Sequence, residues 1–409
     1  MRAMRIGIVG AGTAGAAAGI LLARAGHDIT VFERVSNPGP IGAGITIQPT
    51  GQAALARLGL LDDVIARGAR IDRLHIDRPG KRALIDLPYA AVDPSLYGIG
   101  THRGNLFASL FATLGASGAQ VRCGIGIARC ELDATGRWLV GEDGARHGPF
   151  DLAIAADGAV CALHDCHGKV RATPYPWGAV WLVAPDPGGF TDARTIHQLV
   201  DGPRHMLGIL PTGLAPGTDE RVVSLFWSMR ADRVDAWRAA GVGPWRDQVL
   251  RLEPRAEPIL DRVTDLGGVL FARYYDVAMW PWHRERLVYL GDAAHGTSPQ
   301  LGQGANLALI DAVELADAIA AHPDVATALA AYSAARRRHL AYYQFMTRAL
   351  TPFFQGDSRF LGWIRDRVFP TSKWLRYLRY RMVRTMCGID RGLVRSPIPL
   401  ADVKQHLLP

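Results

Sequence analysis

Gly10-Ala-Gly12-Thr-Ala14-Gly15 is the first stretch of this 409-residue chain whose residue types and spacing imply chemistry. A glycine at 10 allows a tight turn, one at 12 lets a pyrophosphate approach the backbone, and one at 15 lets a helix lie close on a strand. The helix that follows offers free N–H groups and the positive end of its dipole. Glu33 stands 23 residues after Gly10, with Arg34 beside it. A carboxylate there accepts from adenosine ribose hydroxyls and disfavours a 2′-phosphate by charge. With a strand before and a helix after, the motif reads as a dinucleotide site. Alone it does not separate FAD from NAD.

Three more stretches hold residues of the same kind. Thr101-His-Arg103-Gly puts an arginine just before the helical run Asn105–Leu114. DLAIAADG, residues 151–158, ends a strand in Asp157-Gly158. GDAAHGTSPQLGQGANLALIDAVELA, residues 291–316, contains Asp292, His295, Pro299, Gly302, Gly304, Asn306 and Asp311.

The elements that must position these residues follow from periodicity. Arg5–Val9 and Ile29–Phe32 are short β-branched runs around an Ala- and Leu-rich helix, Gly15–Ala25, which makes a β-α-β unit. Gln52–Leu58 and Asn105–Leu114 read as helices, Asp151–Ala156 and Leu287–Leu290 as buried strands. Ile196–Val200, Met206–Leu210 and Val222–Trp227 are separated by Gly, Pro and Asp, the pattern of a sheet with hairpins. A long helix spans about Gly304–Ala321 and ends before Pro323; another spans Tyr332–Leu350.

Composition is globular, with 49% apolar and 21% charged residues, and five cysteines make no disulfide framework. The expectation is a cytoplasmic protein. The net charge of +8 is uneven: residues 336–409 carry 13 Arg and 2 Lys against 4 Asp, a balance of +11, while the other 31 basic and 34 acidic residues balance to −3. No nucleic-acid motif accompanies this charge, so no nucleic-acid partner is expected.

Taken in order with Gly42-Ala-Gly44-Ile and Leu55–Leu60, these stretches resemble the class A flavoprotein monooxygenases, the aromatic hydroxylase family, from residue 5 to about 335. The resemblance implies non-covalent FAD, with Asp292 on the ribityl hydroxyls and Arg103 over the pyrophosphate. Backbone N–H groups at Gly302 and Gly304 would lie near the flavin's pyrimidine side. It implies NAD(P)H as transient reductant, with no second nucleotide domain. Oxygen then reacts through a flavin C4a-hydroperoxide to hydroxylate an aromatic, phenolic or polyketide-like molecule. The cofactor set is Gly10, Gly12, Ala14, Gly15, Glu33, Arg34, Arg103, Asp157, Gly158, Asp292, Pro299, Gly302, Gly304 and Asn306. No side-chain base is assigned.

One departure is clear. The family's Asp-Gly motif continues with Ser and Arg where this chain has Cys161 and His164. That keeps open an FAD-dependent dehydrogenase or reductase of a lipophilic quinone or isoprenoid, and a non-catalytic flavoprotein. Cys161, His164, Cys166 and His167 lack a second ligand pair at finger-like spacing, so no metal is assigned. Trp280-Pro-Trp282 matches only half of a halogenase signature and reads as strand-flanking apolar residues. Gln48, His197, His205 and Trp227 are the substrate-pocket candidates.

The expected fold is α/β. A three-layer FAD-binding domain (1–75, 101–165 and 271–335) interleaves with a mainly antiparallel β-sheet substrate domain (76–100 and 166–270), and helices fill 336–409. Trp374, Leu375, Leu378, Met382 and Met386 recur at helical spacing among arginines. That basic amphipathic pattern fits the protein's own body, a homodimer partner, or a membrane surface. Monomer and homodimer both remain open. A chain ended after Leu350 is expected to keep FAD.

Overall fold

The computed structural model describes residues 2–404 apart from 82, 187, 189–192 and 394–396. Its centre is a six-stranded sheet. Arg5–Val9 lies between Leu152–Ala155 and Asp28–Glu33, parallel to both. Gln120–Cys123 and Leu287–Tyr289 extend it in parallel on either side, and His283–Arg284 closes one edge antiparallel. All four residues of Leu152–Ala155 are buried, as continuous apolar runs require in a sheet covered on both faces. Helices Thr13–Arg24, Arg103–Ala116 and Gly304–Ala321 lie on one side. The meander Ile127–Asp133, Gly136–Gly141, Arg146–Phe150 covers the other: a Cβ at Gly7 would come within 2.7 Å of the Phe150 ring.

The second sheet has seven strands in the order Leu270–Met279, Val170–Pro185, Arg221–Arg230, His205–Leu214, Thr195–Asp201, Arg73–Asp77, Ile85–Pro88. It is antiparallel except where Thr195–Asp201 runs parallel to Arg73–Asp77. Residues 271–279, placed from sequence in the cofactor segment 271–335, belong with Leu270 to the strand Leu270–Met279 of this sheet. That strand pairs with Val170–Pro185 over most of its length, a long-range match that local periodicity does not encode. Alternation gives the sheet two faces. Leu207, Leu225 and Trp227 point outward under Trp245, Val249, Ile259 and Leu260. Met206, Leu210 and Phe226 point inward, toward Val383, Met386, Cys387 and Ile389.

The C-terminal region is continuous with the body. Helix Val325–Phe354 begins seven residues earlier than periodicity suggests, because Asp324 caps it by accepting from the Thr327 N–H at 2.9 Å. Helices Arg359–Val368 and Arg376–Met386 follow. Val383, Cys387 and Ile389 are no more than 1% exposed, so the tail's inner face is core. This burial runs against the expectation that a chain ended after Leu350 keeps FAD. No described helix is long and apolar enough to cross a membrane.

Ending the chain at Leu350 uncovers Met206, Leu210 and Phe226 and removes six buried apolar side chains, of which Phe354, Val383, Met386, Ile389 and Val403 are each worth about 1.5–3 kcal/mol. The expected outcome is loss of cooperative thermal unfolding and of bound flavin absorbance, read by circular dichroism and visible spectroscopy.

Candidate cofactor and active site

Four loops leave the carboxyl ends of adjacent parallel strands, the edge where open α/β sheets bind ligands. The Gly10 turn is tight by necessity. Its φ is +97°, and a Cβ there would lie 2.6 Å from the Ala156 carbonyl oxygen. A Cβ at Gly15 would lie 2.0 Å from the Gly10 oxygen, yet nothing stands within 4 Å of one at Gly12. The loop is closed on the protein side and open on the other. Helix Thr13–Arg24 has no side-chain cap, so its first N–H groups are left for an anion. Glu33 stands beside this turn: its carboxylate accepts from the Ala11 N–H at 3.0 Å and the Val35 N–H at 2.9 Å. Each oxygen keeps a lone pair for a hydroxyl. Arg34 and Arg103 are exposed, and the Arg103 side chain lies against Gly42.

The Gly291 loop meets the Gly10 loop directly. A Cβ at Gly291 would lie 3.1 Å from the Cβ of Ala14 and 3.4 Å from that of Ala308. Asp292 is exposed and its carboxylate accepts no hydrogen bond among the described residues. Its Oδ1 is 3.9 Å from where a Gly304 Cβ would be. Gly304 opens an 18-residue helix that again lacks a side-chain cap, after Gly302 turns the chain at φ +60°. Asn306 is fully buried; it accepts from the Gln48 N–H at 2.8 Å and donates to the Thr46 and Gly302 carbonyls. Its amide is thus taken up in holding the Gly302 turn against strand Gly44–Ile47. Pro299 is exposed, one turn before Gly302.

Beneath this loop lies a buried ion network. Asp311 is 0% exposed, and its Oδ2 accepts from the Gly291 N–H at 2.9 Å and lies 2.5 Å from His295 Nε2. Its Oδ1 accepts from Arg336 Nε at 2.7 Å. Arg336 donates onward to His339 Nδ1 at 2.8 Å, and His339 Nε2 donates to the Gly388 carbonyl at 2.7 Å. Burial alone raises the Asp311 pKa, but the charges of His295 and Arg336 and the bonds from His295 and Gly291 hold it down at about 2. Burial, then the Arg336 charge, lowers His339 to about 3. A donor at Nδ1 and an acceptor at Nε2 require that same neutral ring. Gln303 adds a tie, donating to the Met386 carbonyl at 2.7 Å. Sequence singled out His295 and Asp311 but not Arg336, His339 or Gln303; the three-residue step between Arg336 and His339 on a helix was the available signal.

The departure at 161 and 164 is structural. His164 Nε2 donates to the Ala293 carbonyl at 2.8 Å and so bridges the Asp157-Gly158 loop to the Gly291 loop. Cys161 is buried beside Asp157, and burial raises both groups above their usual range. Gly158 turns the chain at φ +92° with open space where a Cβ would be.

Three of the four substrate candidates face away from the cofactor loops. His197, His205 and Trp227 lie on the outer face of the seven-stranded sheet, with His205 and Trp227 rings 5.6 Å apart and His197 Nε2 at 3.1 Å from Asp77. Strand alternation sets this, and sequence gave no phase for it. Gln48 alone stays inside, accepting from the buried Tyr89 hydroxyl at 2.6 Å. The inner face carries residues that sequence passed over. Ser224 Oγ accepts from the Gly44 N–H and from Thr212 Oγ1, both at 2.8 Å. Trp181 lies 5.2 Å from Phe226, ring to ring, and its Nε1 donates to the Tyr274 hydroxyl at 3.2 Å.

The chain matches the family model described as FAD binding domain over residues 3–344. The chain belongs to the class A FAD-dependent monooxygenases. It is 31% identical to 3-amino-4-hydroxybenzoate 2-monooxygenase of Streptomyces cremeus, over 79% of this chain and 80% of that relative. It is 29% identical to kynurenine 3-monooxygenase of Salinispora arenicola, over 83% and 77%. The solved structure of Klebsiella pneumoniae HpxO complexed with FAD and uric acid superposes with a TM-score of 0.75 at 23% identity, covering 94% of this chain and 96% of that one. This monooxygenase therefore uses FAD and hydroxylates with oxygen and NAD(P)H. Its open Gly12 face, two uncapped helix N-termini and unpartnered Asp292 suit an FAD diphosphate and polyol.

The His339 pKa is lower folded than unfolded, so the unfolded chain binds more protons between about pH 6.5 and 3 and stability falls as pH drops through that window. The limit is about 1.4 kcal/mol per pH unit from this one residue. Urea unfolding of the holoenzyme from pH 7 to 4.5 should show that slope, and His339→Gln should flatten it.

Proposed function

We propose that this monooxygenase hydroxylates a small aromatic ring activated by an amino or hydroxyl group, held between the inner face of the seven-stranded sheet and the Pro299–Gly304 loop. The observation that carries this reading is the inner face itself: Trp181, Phe226 and Tyr274 stand together there beside one polar pair, Thr212 and Ser224. A planar apolar ligand is gripped by such rings and oriented by few polar groups. Two relatives are named for kynurenine and for 3-amino-4-hydroxybenzoate, both matching this chain over about four-fifths of its length.

Bound FAD, reduced by NAD(P)H, supplies the activation of oxygen. In our reading the chain holds and tunes it. The Gly10–Gly15 turn and Arg103 bind the diphosphate, Glu33 the adenosine ribose, and Asp292 the ribityl hydroxyls. The N-terminus of helix Gly304–Ala321 sets positive potential against the electron-rich ring edge, where oriented N–H groups act at no reorganisation cost. Asn306, His164 and the Asp311 network position these loops without touching the cofactor. Burial pushes the Tyr274 phenol up to about 12, so near neutrality it donates or accepts a hydrogen bond but does not serve as a base. No side-chain base is required, because positioning supplies much of such a rate.

The test is NADH or NADPH oxidation by the purified yellow protein against pooled aminophenols, hydroxybenzoates and quinolones, under heavy-isotope oxygen. A substrate-stimulated rate and one heavy oxygen in a product are expected. Conversion without oxygen would move the enzyme to the dehydrogenases. Glu33→Ala and Asp292→Ala should each weaken FAD binding about 10- to 100-fold, the loss of a hydrogen bond to a charged group, read by flavin fluorescence on dilution.

A further inference from the structure

Residues 359–386 carry seven Arg and one Lys against a single acid, Asp366. Asp366 is occupied by Arg365 at 2.7 Å, and Asp390 takes Arg384 at 2.6 Å and Arg381 at 3.7 Å. Arg359, Arg367 and Arg376 are exposed and make no ion pair among the described residues. Between them stand large aromatics in water: Phe360 is 66% exposed, Trp363 51%, Trp374 81% and Tyr377 72%. The Arg367 guanidinium sits 3.9 Å from the centre of the Trp363 ring, which stacks on Phe360 at 6.0 Å. A groove of about 750 Å³ opens beside Trp363, lined by Lys81, Arg359, Arg365 and Arg367.

Soluble surfaces rarely collect apolar rings in this way unless something covers them. The covering partner must accept indole and phenol rings at its boundary and offer negative charge to arginines that have none. A second copy of the same face brings arginine against arginine. A bilayer with anionic headgroups satisfies both demands: aromatic tips settle at headgroup level, and each basic residue near the surface adds about 1 kcal/mol. We propose that the surface formed by helices Arg359–Val368 and Arg376–Met386 and the turn joining them docks on an anionic lipid bilayer. Trp374, Tyr377 and Phe360 enter the headgroup layer, and Arg359, Arg367 and Arg376 meet lipid phosphates. The same tail is hydrogen-bonded to the flavin loop, where Gln303 donates to the Met386 carbonyl. The inference is independent of the substrate reading.

The test is flotation of the FAD-loaded full chain with phosphatidylcholine vesicles, with and without about one-third phosphatidylglycerol, at about 0.1 and 0.5 M salt. Binding is expected only to the anionic vesicles and only at low salt. Both R359E/R367E/R376E and W374S/Y377S should lose at least tenfold in partition, about 1.4 kcal/mol, with flavin absorbance unchanged to report folding. Absence of wild-type flotation on anionic vesicles overturns the proposal. So does equal binding to neutral vesicles, or a wild-type dimer in solution that W374S/Y377S dissociates.

Discussion

One carboxylate out of reach of water governs this architecture. Asp311 receives a backbone N–H from the Gly291 turn, lies against His295, and takes a guanidinium from Arg336. A charge in such a place is tolerated only when fully paired, and removing a partner leaves the others uncompensated. The pairs draw in three distant parts of the chain: the loop after strand Leu287–Tyr289, helix Val325–Phe354 and, through His339, the backbone at Gly388. Loop position is thereby coupled to the helices behind it. Asp292, one residue past Gly291, inherits its placement from that anchor.

Around this anchor the site is built mostly from things the protein leaves undone. Two helices start without a side-chain cap, Gly12 faces open space, and Asp292 has no donor. Two helices of the C-terminal region are closed at this end: Asp324 and Ser358 cap theirs, accepting from the N–H groups of Thr327 and Leu361. At the mouth of these loops, unmet hydrogen-bonding capacity stands where a charged, hydroxylated ligand would meet it. Glu33 is the intermediate case, half satisfied by Ala11 and Val35 and thereby aimed.

Much of this was legible in the chain. Glycine spacing after a strand is local information, so the Gly10 turn, Glu33 and the Gly291–Gly304 stretch could be read as a cofactor site. Four of the five central parallel strands are short apolar runs and were recognisable; Gln120–Cys123, with Gln120 and Arg122 exposed, was not. What escaped was non-local. Strand phase decided that His197 and Trp227 face out while Phe226 and Ser224 face in, and a sequence of hairpins does not state which side is covered. His339 and Gln303 gained meaning only when Gly388 and Met386 came to rest beside them. The tail looked like an appendage because its arginines dominate its composition, although Val383 and Cys387 are core.

The central sheet also has an order of assembly written into it. Arg5–Val9 is made before its neighbour Leu152–Ala155, which arrives about 140 residues later, and Leu287–Tyr289 comes later still. Contacts of such sequence separation close slowly, because loop entropy is lost before they form. A chain emerging from the ribosome therefore carries half a nucleotide turn with nothing opposite it. Only when Gly388 is available can His339 complete the chain of bonds under the flavin loop. Cofactor capture is in this sense a late event, because the flavin loop is fully braced only once the chain has been made as far as Gly388.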